Sequence, residues 1–246
     1  MVGAALAVVA SLALAGSALA AASITNGGFN NTSNTYVGGI YDRLYAGSTT
    51  SPTSATAIPG WTVTAGNIDW IDNYWSSEDG DGFSLDMNGD APGAISQTID
   101  TTVNTTYVVQ FYLSGNPDPN SYCGTLSNCD SPPNKTLIVT ANGGTPADYS
   151  FDTSVYGNTH SNMDWQVEGY SFVASGSSTT LTFTSTTAGA FGPALDAVSV
   201  TETAATGASC KDGGWKTMYD SSGNLFRNQG ACVSFYATSG AVPIGN

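Results

Sequence analysis

The chain has 246 residues, only 10% of them charged, with 5 Lys and Arg against 19 Asp and Glu and a formal net charge of -14. That length suits one all-β domain with a small appendage. So few cations exclude nucleic acid and anionic membrane as partners, because both are held by clustered Lys and Arg that neutralise phosphate. The acidity reads as solubility outside a cell.

Residues 1–20 are apolar without a break and end in Ala18-Leu19-Ala20, the small-x-small pattern of signal-peptidase cleavage. The expectation is a signal peptide removed after Ala20, although the usual basic residues ahead of the apolar run are missing. A retained anchor is the alternative, since ~20 apolar residues span a bilayer. Beyond residue 20 Gly, Thr, Ser and Asn are frequent and no long stretch keeps a 3.6-residue apolar period, which predicts strands.

Pro59 to Pro117 is a series of short strands cut by turns: Pro59-Gly60-Trp61-Thr62-Val63, Asn67-Ile68-Asp69-Trp70-Ile71, Ser84-Leu85-Asp86, then Pro92-Gly93-Ala94-Ile95. Trp61 and Trp70 lie in the strand-like runs and are expected in the core. Tyr74 and Trp75 lie in a less regular, Ser-rich stretch beside Asp72 and Asn73. That is the composition of a carbohydrate site, because a pyranose packs its C–H face on an aromatic ring while polar neighbours bind its hydroxyls. The competing assignment for aromatics here is core. In Glu78-Asp79-Gly80-Asp81-Gly82, the next residues, Phe83 and Ser84, are wrong for a calcium loop, so a hairpin turn is expected.

Tyr107, Val109, Phe111 and Leu113 alternate with Val108, Gln110 and Tyr112, and Leu181 and Phe183 repeat the pattern within Thr179 to Ser185. Between Trp165 and Val173 the apolar parity changes at Gly169, which predicts a β-bulge. In Leu195-Asp196-Ala197-Val198, alternation places Asp196 on the same inward side as Val198 and Val200. A buried carboxylate there needs a partner or a proton.

Four cysteines allow three pairings. The local one, Cys123 with Cys129 and Cys210 with Cys232, is expected for an exported chain. Neither pair has Cys-x-x-Cys spacing and the lone His160 is distant from both, which disfavours zinc. Residues 201–209 have linker composition. Residues 210–246 carry three basic and two acidic residues, leaving two basic against seventeen acidic in the first 209. This last segment reads as a disulfide-closed module too small to be stable on core burial alone. The expected organisation is a signal peptide (1–20), a β-sandwich (21–200), a linker (201–209) and a C-terminal module (210–246).

The order of these motifs, with Asn26-Gly27-Gly28-Phe29 near the start and Gly192-Pro193-Ala194-Leu195-Asp196-Ala197-Val198 near the end, resembles the DUF642 or choice-of-anchor C family over about 180 residues. The resemblance implies a galactose-binding-like β-sandwich: all-β, antiparallel, with two sheets. It also implies a structural Ca2+ held by Asp196 with oxygens from the segment Asn26 to Asn30. Asn30 stands where the family has an acid, so one charge is lost. The alternative is that Asp196 caps backbone N–H groups. Cys210-Lys211-Asp212-Gly213-Gly214-Trp215 with Phe226 to Ser234 resembles a C-terminal motif of secreted, especially actinobacterial, proteins.

Catalytic signatures are weak. Gly-x-Ser-x-Gly, a phosphate loop and a dinucleotide fingerprint are absent, and a carboxylate pair is nonspecific among 19 acids. The expected function is a secreted, non-catalytic carbohydrate-binding protein of cell wall or extracellular matrix, with Asp72, Asn73, Tyr74 and Trp75 as sugar contacts. An adhesive protein that binds another protein is the rival from a different class, and a polysaccharide hydrolase comes third.

Overall fold

The computed structural model describes residues 22–30, 36–119, 131–203, 207–218, 220 and 224–238. The expected signal peptide and the Cys123–Cys129 pairing lie outside the described residues. Among the described residues no helix is long and apolar enough to cross a membrane.

Eleven strands among the described residues form two antiparallel sheets, as expected of a sandwich. β1 (Tyr41–Tyr45), β3 (Asn67–Asp72), β4 (Phe83–Asp86), β11 (Pro193–Thr203), β6 (Thr106–Gly115) and β9 (Gln166–Val173) make the six-stranded sheet, in that order. β2 (Thr62–Ala65), β5 (Ala94–Asp100), β10 (Ser178–Ser185), β7 (Asn134–Ala141) and β8 (Ala147–Asp152) make the other. Period-2 alternation decides which side chains meet between them. Val109, Phe111 and Leu113 of β6 and Leu181 and Phe183 of β10 are fully buried in one core with Trp61 and Trp70.

Part of the outer face of the six-stranded sheet is also covered. The ten-residue connection 73–82 between β3 and β4 folds over it and forms a second apolar cluster, of Ile71, Trp75, Met163 and Ala194, with Tyr74 and Trp165 packed at its margin. β9 lies beside this layer, with Val167 on its outer face 58% exposed. It pairs with β6 in unbroken register from Thr106↔Val173 to Leu113↔Gln166, so the bulge expected at Gly169 does not exist. The parity change marks a strand with apolar groups on both faces: Tyr170 and Phe172 join the core, while Trp165 lies by the outer cluster.

A bulge occurs in β11 instead. The register against β6 shifts between Asp196 and Ser199, and Ala197 takes a positive φ of 46°. Leu195 and Val198 therefore both face the core, whereas Asp196, opposite Tyr112, faces outward. Asp196 is fully buried, but under the 73–82 connection and not between the sheets, because the extra residue reverses the parity on which the inward expectation rested. β11 also runs on to Thr203, so the first three residues of the expected linker belong to the sandwich.

The expected Cys210–Cys232 disulfide is present. Both sulfurs are buried with Met218 and Phe226, and Val173 of β9 packs against them. A ten-residue helix (Gln229–Thr238) departs from the strand-only reading. Asn228 starts it by accepting from the Ala231 N–H at 2.8 Å, and Cys232 fixes it covalently.

Candidate functional site

The first described segment is clasped by both sheets. Gln97 of β5 brackets Thr25, accepting its N–H at 2.6 Å and donating to its carbonyl at 2.9 Å. The Trp61 indole N–H donates to the Asn26 carbonyl (2.9 Å), the Trp70 indole to the Phe29 carbonyl (2.7 Å), and the Val198 N–H to the Gly27 carbonyl (2.9 Å). The two tryptophans are thus core residues that also seat the Asn26 to Phe29 turn. Gly27 is required by proximity, since a Cβ there would lie 1.8 Å from the Val198 carbonyl oxygen.

Oxygen atoms converge beside this turn. The point where a Cβ on Gly28 would stand is 2.8 Å from Asp79 Oδ2, 2.9 Å from Asn30 Oδ1 and 3.5 Å from Asp81 Oδ2. Asn30 Oδ1 is buried and accepts no hydrogen bond. The acidic loop is preset: Asp79 accepts from the Asp81 N–H (3.1 Å) and Asp81 from the Phe83 N–H (2.7 Å). It is therefore the far part of a long β3–β4 connection whose carboxylates point at the N-terminal turn, where a simple hairpin turn was expected. Burial pushes the Asp196 carboxyl up to about 8, and the charges of Asp79 and Asp81 add to this against the Glu78 and Ala197 N–H groups. Those two N–H groups each donate to Asp196 at 2.7 Å, as the capping alternative requires. The Asn26 side-chain amide donates to the Asn30 carbonyl at 3.2 Å. Among the described residues no three His, Cys, Asp or Glu side chains form a metal-binding group. The donor set is two carboxylates and one orphaned amide oxygen, with the buried Asp196 carboxyl near them, and that chemistry fits a hard, oxygen-liganded cation.

The predicted sugar contacts are divided. Trp75 is 3% exposed, and its indole N–H donates to Ser84 at 2.7 Å, so it is a core residue of the outer cluster and no ligand surface. An irregular polar stretch hid this because the covering layer comes from distant chain, Met163 and Ala194. Asn73 is exposed, with positive φ and its backbone N–H on the Gly82 carbonyl, and Asp72 beside it is half-buried. Tyr74 is half-buried and its ring lies 4.5 Å from that of His160. Asp118, buried, accepts from the Tyr74 hydroxyl on one oxygen and bonds His160 Nε2 on the other, both at 2.7 Å. Trp165 closes the group by donating to the Ser76 carbonyl at 3.0 Å. Sequence reasoning missed Asp118, His160 and Trp165, which lie more than 40 residues from Tyr74 and carry no local motif.

A row of charges crosses the same outer face. Arg43 forms two bonds to Asp69, Nε to Oδ1 at 2.6 Å and the NH2 nitrogen to Oδ2 at 2.8 Å. Asp86, across the β3–β4 pair from Asp69, is buried and accepts from the Asn88 and Gly192 N–H groups and from the Asn116 amide. Burial and the Asp69 charge push its carboxyl up to about 8 against those three donors.

Comparison with known proteins adds the following. A family model described as "Protein of unknown function (DUF642)" matches residues 23–201. Halomucin of Haloquadratum walsbyi is 31% identical over 184 residues, which are 73% of this chain and 2% of that relative, so the chain spans a small part of its length. Among solved structures, a family 35 carbohydrate-binding module from Clostridium thermocellum is 12% identical with a TM-score of 0.36, over 57% of this chain and 87% of that one. A second, TmCBM61 in complex with β-1,4-galactotriose, is 12% identical with a TM-score of 0.37, over 59% and 90%.

Proposed function

The chain belongs to the DUF642 family, and on that footing we propose that it is a secreted, non-catalytic module that binds polysaccharide of a cell wall or extracellular matrix. The observation that carries this reading is the group Tyr74, His160 and Trp165, three part-exposed rings set in place by buried Asp118 and by the Ser76 carbonyl. Rings whose edges are fixed from below present their faces for the C–H side of a sugar, and Asp72 and Asn73 flank them with acceptors and a donor. Asp118 has both oxygens committed to Tyr74 and His160, which makes it an orienting group and supports binding without turnover. The test is a glycan array and a panel of insoluble polysaccharides, with release of reducing ends followed in the same samples. Retention without release supports the proposal. Release of reducing ends makes the protein a hydrolase, and absence of retention on every glycan favours an adhesin that binds another protein.

Calcium is the cation we propose for the oxygen cluster. Asn30, Asp79 and Asp81 would hold it, with the Asp196 carboxyl close by and Asn26 shaping the turn. When bound, it would neutralise the acidic loop and tie it to the clasped N-terminal segment. Binding to the native state alone raises the melting temperature by mass action. Calcium should therefore raise it relative to EDTA, and Asn30→Asp, which restores a ligand charge, should enlarge that shift. Identical melting curves with calcium and with EDTA for both proteins would leave Asp196 as a capping residue only.

A further inference from the structure

Edge strand β1 presents a surface that the readings above do not use. Asp42 and Leu44 point inward and are buried, so Tyr41, Arg43 and Tyr45 share the outer face, and the two tyrosines are 40% and 37% exposed. On one side of a strand, positions i and i+4 stand about 13 Å apart at the usual rise per residue. The guanidinium between them is immobilised. Asp69 holds it by two bonds, Asp90 pairs with its remaining nitrogen, and its carbon stands 5.4 Å from the centre of the Tyr41 ring. The Tyr45 hydroxyl reaches the other oxygen of Asp90 at 3.4 Å. Gly89 is part of the construction, because a Cβ there would lie 2.8 Å from Arg43 Nε.

Two phenol rings thus flank a fixed set of hydrogen-bonding groups on a strand. Arg43 and Lys135 are the only basic residues of the first 209, and Lys135 is buried. Since Arg43 is already matched by two carboxylates, the surface offers donors and acceptors without positive charge, which suits hydroxyls and repels anions. A second copy of this chain is disfavoured by the net charge of -14. An added peptide strand is disfavoured because the Tyr45 N–H already donates to the Thr53 carbonyl at 3.1 Å. We infer that the outer face of β1, through Tyr41, Arg43, Asp90 and Tyr45, is a second glycan-contacting surface that takes a neutral, extended polysaccharide chain. The inference rests on the carbohydrate reading above but uses a separate set of residues.

The experiment is depletion of the full chain from solution by suspensions of regenerated cellulose, chitin, mannan and a β-1,3-glucan, with polygalacturonate-agarose as the acidic counterpart. Tyr41→Ala/Tyr45→Ala should weaken retention on the neutral polymer by at least about tenfold, the loss expected for two stacking rings, with an unchanged melting curve. Tyr41→Leu/Tyr45→Leu keeps apolar bulk without a ring, covers the case in which the alanine pair fails to fold, and should show the same loss. Equal retention of folded variants and unmutated protein overturns the inference and leaves the carbohydrate reading intact. Preferential retention on polygalacturonate overturns it as well, as does an unmutated dimer in sedimentation that the tyrosine changes dissociate. Failure of the unmutated protein to bind any polymer brings down the carbohydrate reading itself.

Discussion

Trp75→Ala removes a fully packed indole and leaves the Ser84 hydroxyl without its donor. The loss should be about 3 to 5 kcal/mol, read as a fall in the denaturant midpoint, whereas a surface sugar contact would lose binding at constant stability. Asp86 gives a prediction of a different kind. An unfolded Asp releases its proton near pH 3.9, while the folded carboxyl is held up to about 8. Between those values the folded state binds the extra proton, so this group's contribution to stability is complete below about pH 4 and is lost as pH rises toward 8. Asp86→Asn should flatten the fall in unfolding free energy measured from pH 5 to pH 8, and an unchanged slope would refute the assignment. At this scale the sequence was legible where a residue followed its own strand, as with Trp61 and Trp70. It was not legible at Trp75, whose burial depends on Met163 and Ala194.

At the scale of elements, the N-terminal segment is held by bonds from β3, β5 and β11 and from Trp61, and Gly27 makes the approach possible. Gly27→Ala should destabilise by about 3 kcal/mol, the upper end for overpacking, because its Cβ meets backbone and not a side chain that could move aside. Limited proteolysis should then cleave near residue 30 under conditions in which the unmutated chain resists; equal resistance would show that the clasp tolerates the change. Alternation correctly identified the inner faces of β6 and β10. It failed on β9 and β11 for opposite reasons. β9 shows a parity change without a bulge because it carries apolar residues on both faces, Val167 exposed and Val173 against the disulfide cluster, and β11 keeps apolar residues at Val198 and Val200 across a bulge that moves Asp196 outward. Neither case can be decided from one strand, because each depends on what packs on the far side.

For the whole molecule, composition and motif order were enough to identify an acidic antiparallel sandwich with a disulfide-closed appendage, since these are properties of strand period and cysteine spacing. The sites were less legible. The Tyr74, Asp118, His160 and Trp165 group and the Asn30, Asp79 and Asp81 oxygens are assembled from loops far apart in sequence, which only the folded chain brings together. The two proposed glycan surfaces lie on one molecule, with the β1 strip and the Tyr74 rings both outside the main core. The most direct measurement is a binding isotherm of the full unmutated protein on neutral insoluble polysaccharides, recorded with calcium and again with EDTA while reducing ends are assayed. The account predicts saturable retention on at least one polymer, no release of reducing ends, and a higher melting temperature with calcium; absence of retention on every polymer would contradict it.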